Sequence, residues 1–151
     1  MMLSIGYRHS ELYDFIRNFE YKYVQDIQIL GVIDNFGIET GQKMERFIQI
    51  IIRKKTNKLE LTFKEHYEMT GKKLYINAAC LDTAKTVYFS IDTHPDMPIY
   101  LAVRMSVAIP FLIAPVRWKD HLYVDGGLLD NLPVYNFKNQ SATDTDRKSV
   151  V

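Results

Sequence analysis

The residues best placed to do chemistry stand in the run Tyr123-Val124-Asp125-Gly126-Gly127-Leu128-Leu129-Asp130-Asn131-Leu132-Pro133, where an apolar segment delivers one carboxylate directly onto two glycines. Leu122 to Val124 have high β propensity, and the glycines permit backbone angles and close approaches that a side chain would block. The pattern predicts Asp125 at the end of a strand, facing a cleft, where a carboxylate can take up and release a proton. The same Asp-Gly pair also serves as a tight turn between strands, the reading that composition alone favours. Asp130 lies past the glycines and beside Asn131, which suits a loop stabiliser making local hydrogen bonds better than a base.

Little else in the sequence offers a reactive group. Cys80 is the single cysteine, so there is neither an internal disulfide framework nor a C-x-x-C motif, and it reads as a small buried apolar residue. His9, His66, His94 and His121 are scattered without a metal-ligand spacing such as H-E-x-x-H, so no metal is assigned and no cofactor is implied. A formal net charge of +1 gives no case for a nucleic-acid partner, which calls for a strongly basic face.

Around the acid, Arg104-Met105-Ser106-Val107-Ala108-Ile109-Pro110, Ala114-Pro115-Val116, Asp125-Gly126-Gly127 and Asn131-Leu132-Pro133-Val134 follow one another in a fixed order. This series resembles the C-terminal signature of patatin-like phospholipases. A looser likeness reaches back to about Leu3, through Phe36-Gly37-Ile38-Glu39-Thr40-Gly41 and Leu74-Tyr75-Ile76-Asn77-Ala78-Ala79. The resemblance implies a serine lipid acyl hydrolase, in which a Ser-Asp dyad without histidine cleaves fatty-acyl esters of phospholipids or related lipids. It puts the dyad aspartate on Asp125 and the family's turn on Gly126 and Gly127. Asp125 would accept the serine hydroxyl proton as an acyl-enzyme forms, which water later clears.

The partner of that acid is not in the chain. A G-x-S-x-G elbow sets serine on a strained strand-to-helix turn beside oxyanion donors, and no such pentapeptide occurs here. The nearest spacing, Gly37 to Gly41, has Glu39 at its centre. No glycine-rich stretch near the N terminus supplies oxyanion amides either. Ser106, inside the matched signature, falls in an expected helix without flanking glycines and matches a structural position of the family. Met1-Met2-Leu3-Ser4-Ile5-Gly6-Tyr7 resembles the end of the helix that follows the nucleophile, so the expectation is that the chain begins just downstream of the serine and is inactive alone.

The elements that must hold the acid are legible from local patterns. Ser10 is expected to cap a helix with Leu12, Phe15, Ile16 and Phe19 on one stripe, and Gly31 to Gly41 reads as a loop. Thr40 is expected to cap a second helix with Met44, Phe47, Ile48 and Ile51 on one face. That helix ends in Arg53-Lys54-Lys55, which suits its negative dipole end, with docking on anionic lipid headgroups as the functional alternative. Thr62 to Glu65 has capping-box spacing, and Gly71 ends the short helix it starts. Leu74 to Cys80 and Thr86 to Ile91 read as strands joined by a turn at Asp82 to Lys85. Pro95 and Pro98 open a helix from Ile99 to about Val107, stopped by Pro110. Ile109, Phe111, Leu112, Ile113 and Trp118 could line an acyl-chain pocket or touch a bilayer, and plain core packing is the competing reading.

At 151 residues and 47% hydrophobic, the chain suits one domain with a real core. The expected fold is α/β, a partial three-layer α/β/α patatin-like domain over residues 1–137, lacking the N-terminal strands and the nucleophile elbow. Residues 138–151 read as a disordered tail, poor in apolar side chains. The missing strands would leave a sheet edge uncovered, ready to pair with another chain. No apolar run approaches the roughly 18 residues of a membrane span, and no secretory signal is evident. A cytoplasmic protein, peripheral to membranes, is therefore expected. Its partners would be a lipid or membrane surface as substrate and an upstream polypeptide supplying the nucleophile. The alternative is a degenerate, non-catalytic module that binds lipid or a partner.

Overall fold

The computed structural model describes residues 1–26, 37–131 and 149–150. The expected loop at 31–36, the signature residues 132–134 and the tail at 138–148 lie outside them.

The chain opens with a 3₁₀ turn, Leu3–Ile5, followed by helix α1, His9–Asn18. The start of α1 is fixed by Glu11, whose carboxylate accepts the Arg8 amide at 2.8 Å; Ser10, the expected cap, lies inside the helix. Leu12, Phe15 and Phe19 form a half-buried stripe, while Ile16 turns outward. The Phe15 and Phe19 rings meet Phe47 at 5.8 and 5.6 Å between centroids, tying α1 to helix α2, Gln42–Thr56. Helix α2 buries Ile48, Ile51 and Ile52. Of its terminal cations, Lys55 reaches back to the Glu11 carboxylate at 2.8 Å.

Thr40 is only part of the cap on α2. The main acceptor is Asp26, whose carboxylate takes the amides of Gly41 and Gln42, both at 3.0 Å, and the Thr40 hydroxyl. Burial opposes ionisation of Asp26, but these donors outweigh it and hold the carboxyl below its ordinary value. Before the helix, Gly37–Glu39 forms strand β1, where a loop is expected from its glycines. It exists because β4, Phe111–Ile113, pairs with it in parallel, Gly37 opposite Phe111 and Glu39 opposite Ile113. A pairing so distant along the chain leaves no periodicity in three residues.

Helix α3, Phe63–Thr70, carries the capping box in full: Glu65 accepts the Thr62 amide at 3.0 Å and donates its own amide to the Thr62 hydroxyl at 3.2 Å. Gly71 closes it in the left-handed conformation, φ 66°. Strand β2, Leu74–Cys80, is buried at every position but Tyr75, as befits a strand covered on both faces. It pairs antiparallel with β3, Lys85–Phe89, and with β6, His121–Asp125. Strand β5, Val116–Trp118, pairs antiparallel with β6, giving the order β3-β2-β6-β5. At the far end of the chain, Ser149–Val150 adds a short parallel strand, β7, against Leu74 and Tyr75.

Helix α4, Ile99–Ser106, starts after Pro98 as expected and lies between α2 and the β2–β6 region of the sheet. Phe63, Ile76, Phe89, Ile99 and Met105 fill this interior at no more than 1% exposure each. The architecture is thus mixed α/β, with an antiparallel four-strand sheet backed by helices. Among the described residues no helix is long and apolar enough to cross a membrane.

His66 is the titratable group most deeply set in this core. Its Nε2 meets the Ser4 hydroxyl at 3.1 Å, its Nδ1 has no partner among the described residues, and burial lowers its pKa. The folded state therefore prefers the neutral ring. The stability this represents is fully present above the ordinary histidine pKa of about 6.5 and is lost as pH falls through and below it. Denaturant midpoints of the wild type should decline between about pH 7 and 5, and His66→Gln should flatten that decline; an equally steep slope in the variant would show that another group drives it.

Candidate active site

Strand β6 ends at Asp125, and a 3₁₀ turn, Gly126–Leu128, follows at once. The strand is held on its β2 side by register: Asp125 stands opposite Ala78, and Val124 opposite Ala79. The Asp125 amide donates to the Ala108 carbonyl at 2.9 Å, joining the strand end to the segment after α4. Backbone bonds on two sides thus fix the acid before its side chain is considered.

The carboxylate is half-buried. Its Oδ1 accepts the Gly127 amide at 2.6 Å, so the turn orients the side chain. Among the described residues Oδ2 has no hydrogen-bond partner, no ion pair engages the carboxylate, and no serine hydroxyl reaches it. One oxygen is committed to orientation and the other is open.

The two glycines have different reasons to lack side chains. A Cβ on Gly126 would fall 2.6 Å from the Asn77 carbonyl oxygen and 2.7 Å from its side-chain carbon. Asn77, itself only 6% exposed, donates from Nδ2 to the Asp130 carbonyl at 2.8 Å. A Cβ on Gly127 would sit 2.9 Å from Asp125 Oδ1, crowding the amide contact just described. Asp130 behaves as a loop stabiliser: its amide donates to the Gly126 carbonyl at 2.9 Å and its carboxylate accepts the Tyr88 hydroxyl. Sequence patterns gave no sign of Asn77 as the residue that holds this loop, because its partner lies 53 positions away.

Beside the acid runs an apolar groove of about 410 Å³, lined chiefly by Leu81, Pro110, Phe111, Leu122, Val124 and Leu128. Val124 and Leu128 flank the Asp125-Gly126-Gly127 run, although Asp125 itself is not part of the lining. Of the four residues expected to line an acyl pocket, Phe111 is in the groove, 82% exposed, with φ 68°. Ile109 and Leu112 are exposed outside that lining, and Ile113 is buried at 4%. Trp118 sits instead among Phe89, His94 and Tyr123, in edge-on and tilted ring contacts. Ser106 closes α4, half-buried.

Arg104 is the structural residue that sequence reasoning passed over. Only 3% exposed, it donates from Nε to the Gly41 carbonyl at 3.2 Å, and from Nη2 to the Thr40 and Ala114 carbonyls at 2.8 and 3.1 Å. Burial pulls its pKa below the usual guanidinium value, and the charges of Glu45 and Asp26 oppose that effect. Gly41 answers its bulk: with φ 75°, a Cβ there would lie 2.0 Å from Nη2. In the sequence Arg104 opens the family-like series and is the lone charge in an apolar helix, but neither feature points to its carbonyl partners.

A family model described as patatin-like phospholipase matches residues 1–138. The chain is 28% identical, over a 152-residue alignment, to the probable lipid hydrolase 463L of invertebrate iridescent virus 6, covering 95% of this chain and 52% of that protein. It is 33% identical over 139 residues to the uncharacterized protein R571 of Acanthamoeba polyphaga mimivirus, covering 90% and 46%. The chain therefore spans about half the length of these relatives. A shorter likeness, 53% over 45 residues, links 30% of the chain to 7% of an uncharacterized NTE family protein of Mycobacterium bovis.

Two substitutions test the scaffold. Arg104→Met strands the Thr40 and Ala114 carbonyls, while the Gly41 carbonyl keeps the Glu45 amide; at about 1–3 kcal/mol for each buried unpaired acceptor, the variant should be destabilised by about 2 kcal/mol or more in urea denaturation. Gly126→Ala must displace the Asn77 backbone and should cost about 1–3 kcal/mol. A loss under about 0.5 kcal/mol in either variant would show that the contacts in question relax freely.

Proposed function

The chain belongs to the patatin-like phospholipase family, and from that premise we propose that it is the acid-bearing portion of a serine lipid acyl hydrolase, with Asp125 as general base. The observation that carries the reading is the state of that carboxylate: oriented through Oδ1 by the Gly127 amide, with Oδ2 unclaimed among the described residues. A base held within hydrogen-bond reach of a hydroxyl needs one lone pair free and the other fixed. Gly126 and Gly127 are the residues that let the turn close this tightly.

In this reading the nucleophilic serine comes from polypeptide outside the 151 residues, since the chain contains no G-x-S-x-G. Asp125 takes the serine proton as the oxygen attacks the acyl carbonyl. Asp125 returns that proton to the departing lipid alcohol; water then attacks the acyl-enzyme, its proton passing through the same carboxylate to the released serine oxygen, which frees the fatty acid and restores both groups. The apolar groove along Leu81, Phe111, Val124 and Leu128 is the surface that would hold the fatty-acyl chain, because burying methylenes there contributes about 0.8 kcal/mol each. A membrane or lipid aggregate is the source of substrate.

The test is expression of the chain joined to the coding sequence upstream of Met1. That longer protein should cleave short-chain acyl esters and phospholipids, and Asp125→Asn should abolish turnover, on the order of 10⁴-fold or more, while leaving the fold intact by circular dichroism. Retained activity in Asp125→Asn removes the acid from the mechanism. Leu81→Glu, which puts a charge in the groove, should raise KM for long-chain esters and leave short-chain esters nearly unchanged; equal effects on both would separate the groove from acyl binding. Should the upstream frame encode no G-x-S-x-G and the chain still bind anionic vesicles, the non-catalytic module is the correct reading.

A further inference from the structure

At the opposite end of β6 from Asp125, Cys80, Asp82 and His121 converge. A ligating atom of each lies within 4.8 Å of the other two. The sheet itself brings them together. Cys80 pairs with Tyr123 across β2 and β6, and continuing that register by two residues sets Asp82 opposite His121. Alternation along strands then places Cys80, Asp82 and His121 on one face, with His121 diagonal to Cys80.

We propose that these three residues form a zinc site, in which the Cys80 thiolate, a His121 ring nitrogen and an Asp82 carboxylate oxygen bind the ion, with water as fourth ligand. Thiolate, imidazole and carboxylate together are a donor set suited to this borderline-soft, tetrahedral cation. The His121–Asp82 pair already has close to the separation coordination needs, and the Cys80 sulfur, within 4.8 Å of both, must draw in to about 3.6 Å as the ion binds. His121 Nδ1 and Asp82 Oδ2 stand 3.6 Å apart, and two such ligands on a tetrahedral zinc are separated by about 3.4 Å.

Burial divides the site in a useful way. Cys80 is 2% exposed and its sulfur makes no hydrogen bond among the described residues, so a soft donor waits without a partner at the floor. The Asp82 and His121 side chains are 44% and 47% exposed, leaving a route for the ion to enter and room for a water. Asp82 is already oriented, because its Oδ2 accepts the Leu122 amide at 2.7 Å. Such support from a backbone donor fixes a carboxylate ligand in place. On binding, the Zn–S bond forms as the thiol proton passes to solvent. The site is independent of the serine chemistry: it pins the β2–β3 turn to the start of β6, and a histidine spacing search cannot see it because His121 is 39 residues beyond Asp82 along the chain.

Cobalt(II) titration of the purified chain tests this. One equivalent of cobalt chloride should produce the near-ultraviolet thiolate-to-cobalt charge-transfer band and the visible bands of a tetrahedral ion, and zinc should bleach both. Cys80→Ser should lose the charge-transfer band. His121→Gln and Asp82→Asn, both at exposed positions, should weaken cobalt affinity by about tenfold or more while leaving circular dichroism unchanged. Absence of the charge-transfer band in the wild type, its persistence in Cys80→Ser, or unaltered affinity in the two exposed variants would overturn the proposal. If Cys80→Ser fails to fold, the wild-type spectrum and the two exposed variants decide the matter.

Discussion

The buried guanidinium of Arg104 is the constraint on which the arrangement depends. A charge at 3% exposure needs acceptors: Nε and Nη2 find three backbone carbonyls, at Thr40, Gly41 and Ala114, while Nη1 has no partner among the described residues. Those carbonyls belong to the β1–α2 junction and to the residue after β4, so one side chain on α4 gathers two segments that are far apart in sequence. The parallel β1–β4 pair forms beside it, and the Ala114 amide closes the seam by donating to the Glu39 carbonyl at 2.8 Å. Just past the same end of that helix, which closes at Ser106, Ala108 accepts the Asp125 amide. The acid is therefore anchored to a helix that the arginine has already fixed.

What could be read from the sequence follows the range of the interactions involved. The Thr62–Glu65 box, the Gly71 stop and the Pro98 start depend on neighbours within a few residues, and the β2 and β6 strands, though paired across the chain, are marked by runs of β-prone residues; each is found where its local signal puts it. The family likeness carried by residues 104–134 is of the same kind, since it rests on short fixed spacings. Elements that depend on distant partners were not legible. Asp26 replaces Thr40 as the principal cap of α2 from 15 and 16 positions away, and β1 is a strand only because β4 lies beside it. Asn77 and Arg104 likewise act through carbonyls 53 and about 60 positions off, where no periodicity points.

The polar and apolar parts of the candidate site are separated by the alternation of a single strand. Tyr123 packs into the core against Phe89, whereas Leu122 and Val124 line the groove. Asp125 comes next, at the point where the ladder to β2 ends and the glycine turn begins. By that alternation Asp125 falls on the face of Tyr123 rather than on that of the groove, and it stays half-buried, not sealed inside, because it is the last residue of the strand.

Because side chains on β6 alternate with a period of two, the acid's position is quantised. A slip of one residue against β2 would turn Tyr123 outward and send Val124 into the space it fills, a change the core cannot absorb. Evolution therefore cannot slide this carboxylate along the sheet in small increments. Fine adjustment of its reach must come from the two residues after it, whose freedom from Cβ atoms makes them the tuning screw of an otherwise stepwise machine.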